Sequence, residues 1–349
     1  MKVIYREGKL LKKGVSIKKI AQELNLSQGT VSLVLNDRGT EMRISEDTQK
    51  RVYDKAKALG YFKSHNSSKK FKPVLNNAPV ITFFCPYVPE GGPLGRVMLG
   101  VQNMIRTAET PLQIVFQPFE LDDLEAYASR LSSKYCNGAI ILNISENDFS
   151  FLSSHKINIP VVLFNYLSPN FSTVYIDSYD VGMTAAKIFA AKGHKRAALI
   201  TPDKSNKPRS LCKTGFLDGC KSFDIDIEEG HIIEEENSFS GGKASVKKLI
   251  EMGTLPSALF IQNSYMAIGG IPLLKEKVKI PDDMEVISYG GNILNEAISP
   301  SITAIQYPIE EMTESCMRVL LKMMQSGDNN PISQIIETKV EYRDSCPKP

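Results

Sequence analysis

LSQGTVSLVLN, Leu26 to Asn36, preceded by SIKKIAQEL, Ser16 to Leu24, decides how this chain is read. Ile17, Ile20, Ala21 and Leu24 recur at helical spacing with Lys18, Lys19, Gln22 and Glu23 turned outward, and Ser16 is placed to cap that helix. Asn25 suits a left-handed turn position. Leu26 plugs a small core, and Ser27 caps a second helix whose Val31, Val34 and Leu35 face inward. Two short amphipathic helices joined by a tight turn form a helix-turn-helix, whose second helix reads the DNA major groove.

That orientation leaves Gln28, Gly29, Ser32 and Leu33 on the groove face. Gln28 offers a bidentate amide to adenine and Leu33 an apolar contact such as a thymine methyl, whereas Gly29 reads nothing by itself. Ser16, Ser27, Thr30, Ser32 and Asn36 suit phosphate oxygens, which position a helix without specifying sequence. Gly29 costs about 1 kcal/mol relative to alanine inside a helix, so it implies either close approach of backbone to DNA or a packing constraint. Downstream, DRGTEMR is a polar loop. A capping-box-like Ser45-Glu46-Asp47-Thr48 then opens a third helix to about Leu59, whose Val52, Ala56 and Leu59 close a miniature core.

The charge distribution agrees with a nucleic-acid-binding head. Residues 1–72 hold 17 Lys and Arg against 7 Asp and Glu, leaving 25 of the 42 basic and 32 of the 39 acidic residues for the remainder. A basic front and a mildly acidic body have different partners, because phosphate neutralisation supplies much of DNA affinity. The six cysteines, at 85, 136, 212, 220, 316 and 346, are scattered without a C-x-x-C pair and read as reduced cytoplasmic thiols. Histidines 65, 155, 194 and 231 carry no metal-site spacing. The charged start MKVIYREGKLLKKG lacks an apolar signal core, and no 18-residue apolar window exists, so neither export nor a membrane partner is expected.

IKKIAQELNLSQGTVSLVLN followed by RISEDTQKRVYDKAKALGY resembles the headpiece of the LacI/GalR family of bacterial transcription regulators, with a few extra residues in the loop around Gly39 to Met42. The Ser/Asn/Lys-rich FKSHNSSKKFKPVLNN reads as a linker. The resemblance implies that it forms a hinge helix with a minor-groove leucine wedge when two subunits sit on an operator. Here Lys63, Ser64 and Ser67 depart from the family pattern, and Lys70 or Phe71 stands near the wedge position. Either Phe71 intercalates while Lys69, Lys70 and Lys72 contact phosphates, or the stretch is a flexible basic tether without a wedge.

From Pro79 the pattern changes. Apolar runs VITFFC, IVF, AIIL, VVLF, AALI, ALFI and EVISY alternate with helical segments such as LGRVMLGVQNMIRTA, DDLEAYASRLSSKY and YDVGMTAAKIFAAKG, the signature of parallel sheets covered on both faces by helices. Asn137-Gly138-Ala139-Ile140, Ile159-Pro160-Val161-Val162, Gly193-His194-Lys195-Arg196 and Gly215-Phe216 resemble the periplasmic-binding-protein-like body of the same family. The expected architecture is a small all-α helix-turn-helix headpiece followed by an α/β body of two doubly wound parallel-sheet subdomains. Its expected bounds are a basic extension over 1–14, the headpiece over 15–62, a linker over 63–78, one subdomain over 79–176 and 305–328, and the other over 177–304 and 329–345. The chain then crosses between subdomains near Asp177, Ala304 and Asp328.

A small-molecule effector belongs where the carboxyl ends of the strands converge. Candidate lining residues are Tyr87, Arg96, Asn143, Asn165, Tyr166, Arg209, Cys212, Lys213, Asn263, Tyr265, Tyr289 and Gly290. Sugar- and purine-responsive members of the family carry charged groups where this chain has Cys212, Ser264 and Gly290, so an ordinary hexose is not the expected effector, or sensing has been rewired. No catalytic motif survives: SGGKAS from Ser240 lacks the leading glycine and the Ser/Thr of a phosphate loop, and no His-Glu-x-x-His or Gly-x-Ser-x-Gly occurs. No enzyme, cofactor or metal is expected. The reading is a dimeric repressor of an inverted-repeat operator. The alternative is a cytoplasmic small-molecule-binding protein with only non-specific DNA affinity.

Overall fold

The computed structural model describes residues 16–35, 39, 42–59, 78–87, 94–107, 111–203, 206–291, 293–328 and 330–349. The expectations for residues 1–14, Asn36, the linker, Lys69, Lys70 and Phe71 lie outside them. The chain divides into two compact units, one ending at Phe71 and one beginning at Lys72.

In the first unit, helix α1 (Ile17–Leu24) starts on Ser16, whose hydroxyl accepts the Lys19 N–H, and ends on Asn25 at φ 55°, the left-handed turn expected there. Helix α2 (Gln28–Leu35) starts on Ser27, whose hydroxyl accepts the Thr30 N–H at 3.0 Å. Eight residues that include a glycine and three β-branched side chains are too short and too poor in helix formers to stand alone. Packing decides the matter: Val31 and Val34 are buried against Ile20, Ala21, Val52 and Ala56, at roughly 1.5–3 kcal/mol per buried valine or isoleucine. Helix α3 (Glu46–Ala58) closes the core, capped by Ser45 onto the Thr48 N–H, and Lys55 Nζ pairs with Glu23 of α1 at 3.2 Å.

The second unit holds two six-stranded sheets. In chain order the elements are β1 (Val80–Pro86), α4 (Leu94–Thr107), β2 (Gln113–Phe119), β3 (Gly138–Leu142), α5 (Glu146–Ser154), β4 (Val161–Phe164), β5 (Ser172–Tyr175), α6 (Ser178–Ala191), β6 (Ala197–Pro202), α7 (Lys207–Ser222), β7 (Ile232–Glu235), α8 (Phe239–Glu251), β8 (Ala258–Ile261), α9 (Ser264–Leu274), β9 (Glu285–Gly290), α10 (Leu294–Ala297), β10 (Thr303–Gln306), α11 (Ile309–Ser326), β11 (Ser333–Ile335) and β12 (Val340–Glu341). The first sheet runs β11-β5-β4-β3-β1-β2 and is parallel throughout. The second runs β12-β10-β9-β8-β6-β7 and is parallel except for the antiparallel β12. The central strands β3, β4, β6 and β8 are buried along their whole length, as apolar runs without alternation require when helices cover both faces.

Two expectations need correction. The last crossing does not fall near Asp328: Thr173 N–H donates to the Ile332 carbonyl at 2.7 Å and Ile336 N–H to the Tyr175 carbonyl at 2.8 Å, so β11 stays in the first sheet. The chain passes to the second sheet only between residues 335 and 340, whereas the crossing expected near Ala304 falls just beyond it, after Gln306 ends β10. The segment DDLEAYASRLSSKY is also no α-helix. Its Leu124–Arg130 stretch is 3₁₀, entered through Asp122 at φ 70°, with the N–H groups of Asp122 and Leu124 held by the buried Asp148 carboxylate.

Candidate DNA interface and effector cleft

On the headpiece, Ser16, Ser27, Gln28 and Gly29 are exposed, and Thr30, Ser32 and Leu33 are half-buried. Ser16 and Ser27 spend an acceptor on capping, and the Ser27 and Thr30 hydroxyls are bonded to each other at 2.8 Å. Gln28 therefore projects from the first turn of α2, a turn without acidic residues, as its exposed hydrogen-bonding side chain. Gly29 resolves one of the two open explanations. A Cβ built on it would meet only Ser27 Oγ, at an ordinary 3.6 Å, so no packing inside the described residues demands glycine. Tyr53 was not singled out from sequence, yet its hydroxyl donates to the Val34 carbonyl at 2.9 Å, satisfying one of the carbonyls that the end of α2 leaves open. A tyrosine beside the core valine of α3 carries no pattern that announces such a cap.

In the body, strand order reverses between β1 and β3 in one sheet and between β6 and β8 in the other, so the open crevices lie beyond the carboxyl ends of those strands. Seven of the twelve candidates gather around a residue that sequence reasoning passed over, Tyr307, immediately after β10. Its ring lies 6.2 Å from Phe164 and 5.6 Å from Tyr289 between centroids, and its hydroxyl donates to Asn143 Oδ1 at 3.5 Å. Asn143 and Asn165 close the ends of β3 and β4 at φ 45° and 56°. Arg209, on the first turn of α7, sits close enough to Tyr307 and Tyr289 for its charge to be felt by both. Burial holds its guanidinium below the ordinary arginine value, with Tyr307, Tyr289 and Asp203 opposing that shift.

Burial also pushes both phenols up and raises the Cys212 thiol to about 12, so these groups are neutral hydrogen-bonding surfaces at physiological pH. Arg96 joins the group from α4. Its Nε and Nη2 donate to the two oxygens of Glu310 at 2.7 and 2.5 Å, and Nη1 donates to the carbonyls of Gly291 at 2.8 Å and Gly290 at 3.3 Å.

The other five candidates are placed elsewhere or already engaged. Tyr87 is 64% exposed. Tyr166 is buried in the first subdomain's core against Phe149, with the Lys207 ammonium 5.7 Å from its ring centroid. Lys213 is paired with Glu234 at 2.7 Å. Asn263 is the N-cap of α9, its Oδ1 accepting from Tyr265 and Met266 N–H, and Tyr265 packs edge-on against Phe239. Tyr307 follows β10 directly and was legible by the rule applied to the other strands, but the four residues Thr303–Gln306 are too short a run to announce a strand; Glu310 lies on the first turn of α11.

The family model for a periplasmic binding protein-like domain matches residues 186–346. The probable HTH-type transcriptional repressor ExuR of Bacillus subtilis (strain 168) is 24% identical over 335 residues, covering 95% of this chain and 98% of that protein. A transcriptional regulator solved as a CelR–cellobiose complex shares the fold with TM-score 0.69 at 19% identity, covering 95% of this chain and 99% of its own. The crystal structure of a LacI family transcription regulator from Clostridium acetobutylicum superposes with TM-score 0.73 at 31% identity, over 76% of this chain and 99% of that one. With a helix-turn-helix head, two doubly wound sheets and 31% identity over 99% of that solved chain, the chain belongs to the LacI family of transcription regulators.

Proposed function

We propose that the protein is a dimeric transcriptional repressor in the bacterial cytoplasm whose affinity for an inverted-repeat operator is set by a small molecule between the two body subdomains. The observation that carries this reading is a recognition helix with Gln28 and Gly29 outward, joined to a body whose strand ends gather Arg96, Asn143, Asn165, Arg209, Tyr289 and Tyr307. Gln28 reads a base edge, and Gly29 lets the backbone approach the duplex closely. One such helix reads too few bases for an operator, so two heads at fixed spacing supply the rest.

The second copy docks on the body. Leu94, Met98, Leu99 and Ile105 of α4 are exposed, between 37% and 50%, whereas Val101 of the same helix is buried at 5% and faces inward. ExuR is named as a probable repressor, and the CelR relative was solved with cellobiose. Here the neutral Cys212 thiol and the Gly290 backbone offer no charged clamp for sugar hydroxyls, which supports an effector other than an ordinary hexose.

Selection of binding sites from a random duplex library at physiological salt tests the DNA reading. An enriched palindrome is expected, and an unenriched pool overturns it in favour of general DNA affinity. A calorimetric screen of the ligand-free protein tests the effector reading, and tight binding of a simple hexose would contradict the ligand class.

A further inference from the structure

Among the described residues, Arg96 of the first subdomain hydrogen-bonds across the cleft to the second. Its Nε and Nη2 are committed to Glu310 of its own subdomain, which fixes the plane of the guanidinium. That leaves Nη1 aimed at the opposite subdomain, where it binds the carbonyls of two consecutive residues, Gly290 and Gly291. Their φ values of 122° and 52° are costly for any residue with a side chain, and a Cβ at 291 would lie 2.5 Å from Gln306 Oε1. Two successive glycines thus turn two carbonyls toward one guanidinium. Lys207 of α7 over the Tyr166 ring beyond β4, and Tyr307 between Phe164 and Tyr289, bridge the same gap.

We propose that Arg96 is a built-in latch: it ties the two walls of the cleft together, and an effector acts by giving Nη1 oxygen acceptors in place of the Gly290 and Gly291 carbonyls. Only the second half rests on the cleft being the effector site. The latch itself is a property of the chain alone. A lysine at 96 keeps the charge but lacks the fork that serves Glu310 and the glycines together.

Hydrogen exchange by mass spectrometry on the full-length protein, without DNA or ligand, tests it. Arg96→Ala is expected to speed exchange roughly tenfold in peptides covering residues 289–295 and 305–309, leaving β6, β8 and the headpiece unchanged. Arg96→Lys and Glu310→Gln should fall between wild type and Arg96→Ala, and they carry the test if the alanine variant does not fold. Wild-type rates at those two segments in the variants overturn the latch. So does acceleration spread evenly over both sheets, the mark of a residue that only stabilises the fold. A ligand screen that finds nothing would remove the effector reading and leave these exchange rates standing.

Discussion

The recognition helix and the cleft treat their polar groups in opposite ways. On α2 the hydroxyls of Ser27 and Thr30 serve the helix end, while Gln28 and Gly29 stand exposed on a backbone that Val31 and Val34 hold in place. In the cleft the strongest hydrogen-bonding groups are already matched inside the protein: Arg96 with Glu310 and two carbonyls, Tyr307 with Asn143. A DNA-reading face keeps its donors outward because the duplex brings the complementary groups. A regulatory cleft with satisfied groups can be entered only by exchanging partners, so the free energy of a ligand is a difference between two bonded states.

The largest test of this contrast removes the scaffold from one side. Ile20→Ala should cost about 2–5 kcal/mol in a core of six buried side chains, unfolding the headpiece and abolishing DNA binding while the body's melting transition stays in place. Calorimetry with an operator-binding assay checks both; a concerted loss of the two transitions would erase the division into two units. Next, Gln28→Ala should cost about 1–3 kcal/mol of discrimination at one base pair and little general affinity. By charge alone Lys69→Ala should weaken all sequences alike and lower the salt slope by about 1. Equal effects of the two substitutions on specificity and slope would collapse that division of labour.

Alkaline titration separates the units without mutation. Burial raises the thiols of Cys85, Cys212 and Cys220 from 9.0 to about 12, whereas residues 1–71 contain no cysteine. A group with a raised folded pKa leaves stability intact below its unfolded value and drains it as pH rises further, because only the unfolded chain releases the proton. The body's melting temperature should therefore hold to about pH 9 and fall between pH 9 and 12, read by circular dichroism. The smallest effect is Gly29→Ala, which should stabilise the headpiece by about 0.5–1 kcal/mol and still weaken operator binding, since the methyl makes only an ordinary contact with Ser27 Oγ in the protein and meets the duplex outside it. Unchanged operator affinity would show that the backbone at 29 does not approach DNA.

Much of the headpiece was legible because its determinants are local. Ser16, Asn25 and Ser27 act on residues within a turn of themselves, and the spacing of Ile20, Val31 and Val52 states which faces meet. The misses are long-range. Asp148 reaches back to Leu124 and Asp122 to settle a 3₁₀ turn where periodicity suggested an α-helix. The three-residue β11 shows no alternation long enough to read, and only its pairing with β5 keeps it in the first sheet.

By itself the sequence determined the kinds of unit and their order: a basic three-helix head, then alternating strands and helices, with candidate groups just beyond the strands. Those follow from periodicity, capping and charge, which act over a few residues. Which candidates share a site was decided by tertiary structure alone. Arg96 meets Glu310 across 214 positions and Gly291 across 195. Such a contact depends on where the sheets and crossings put the backbone, and no local pattern encodes that distance.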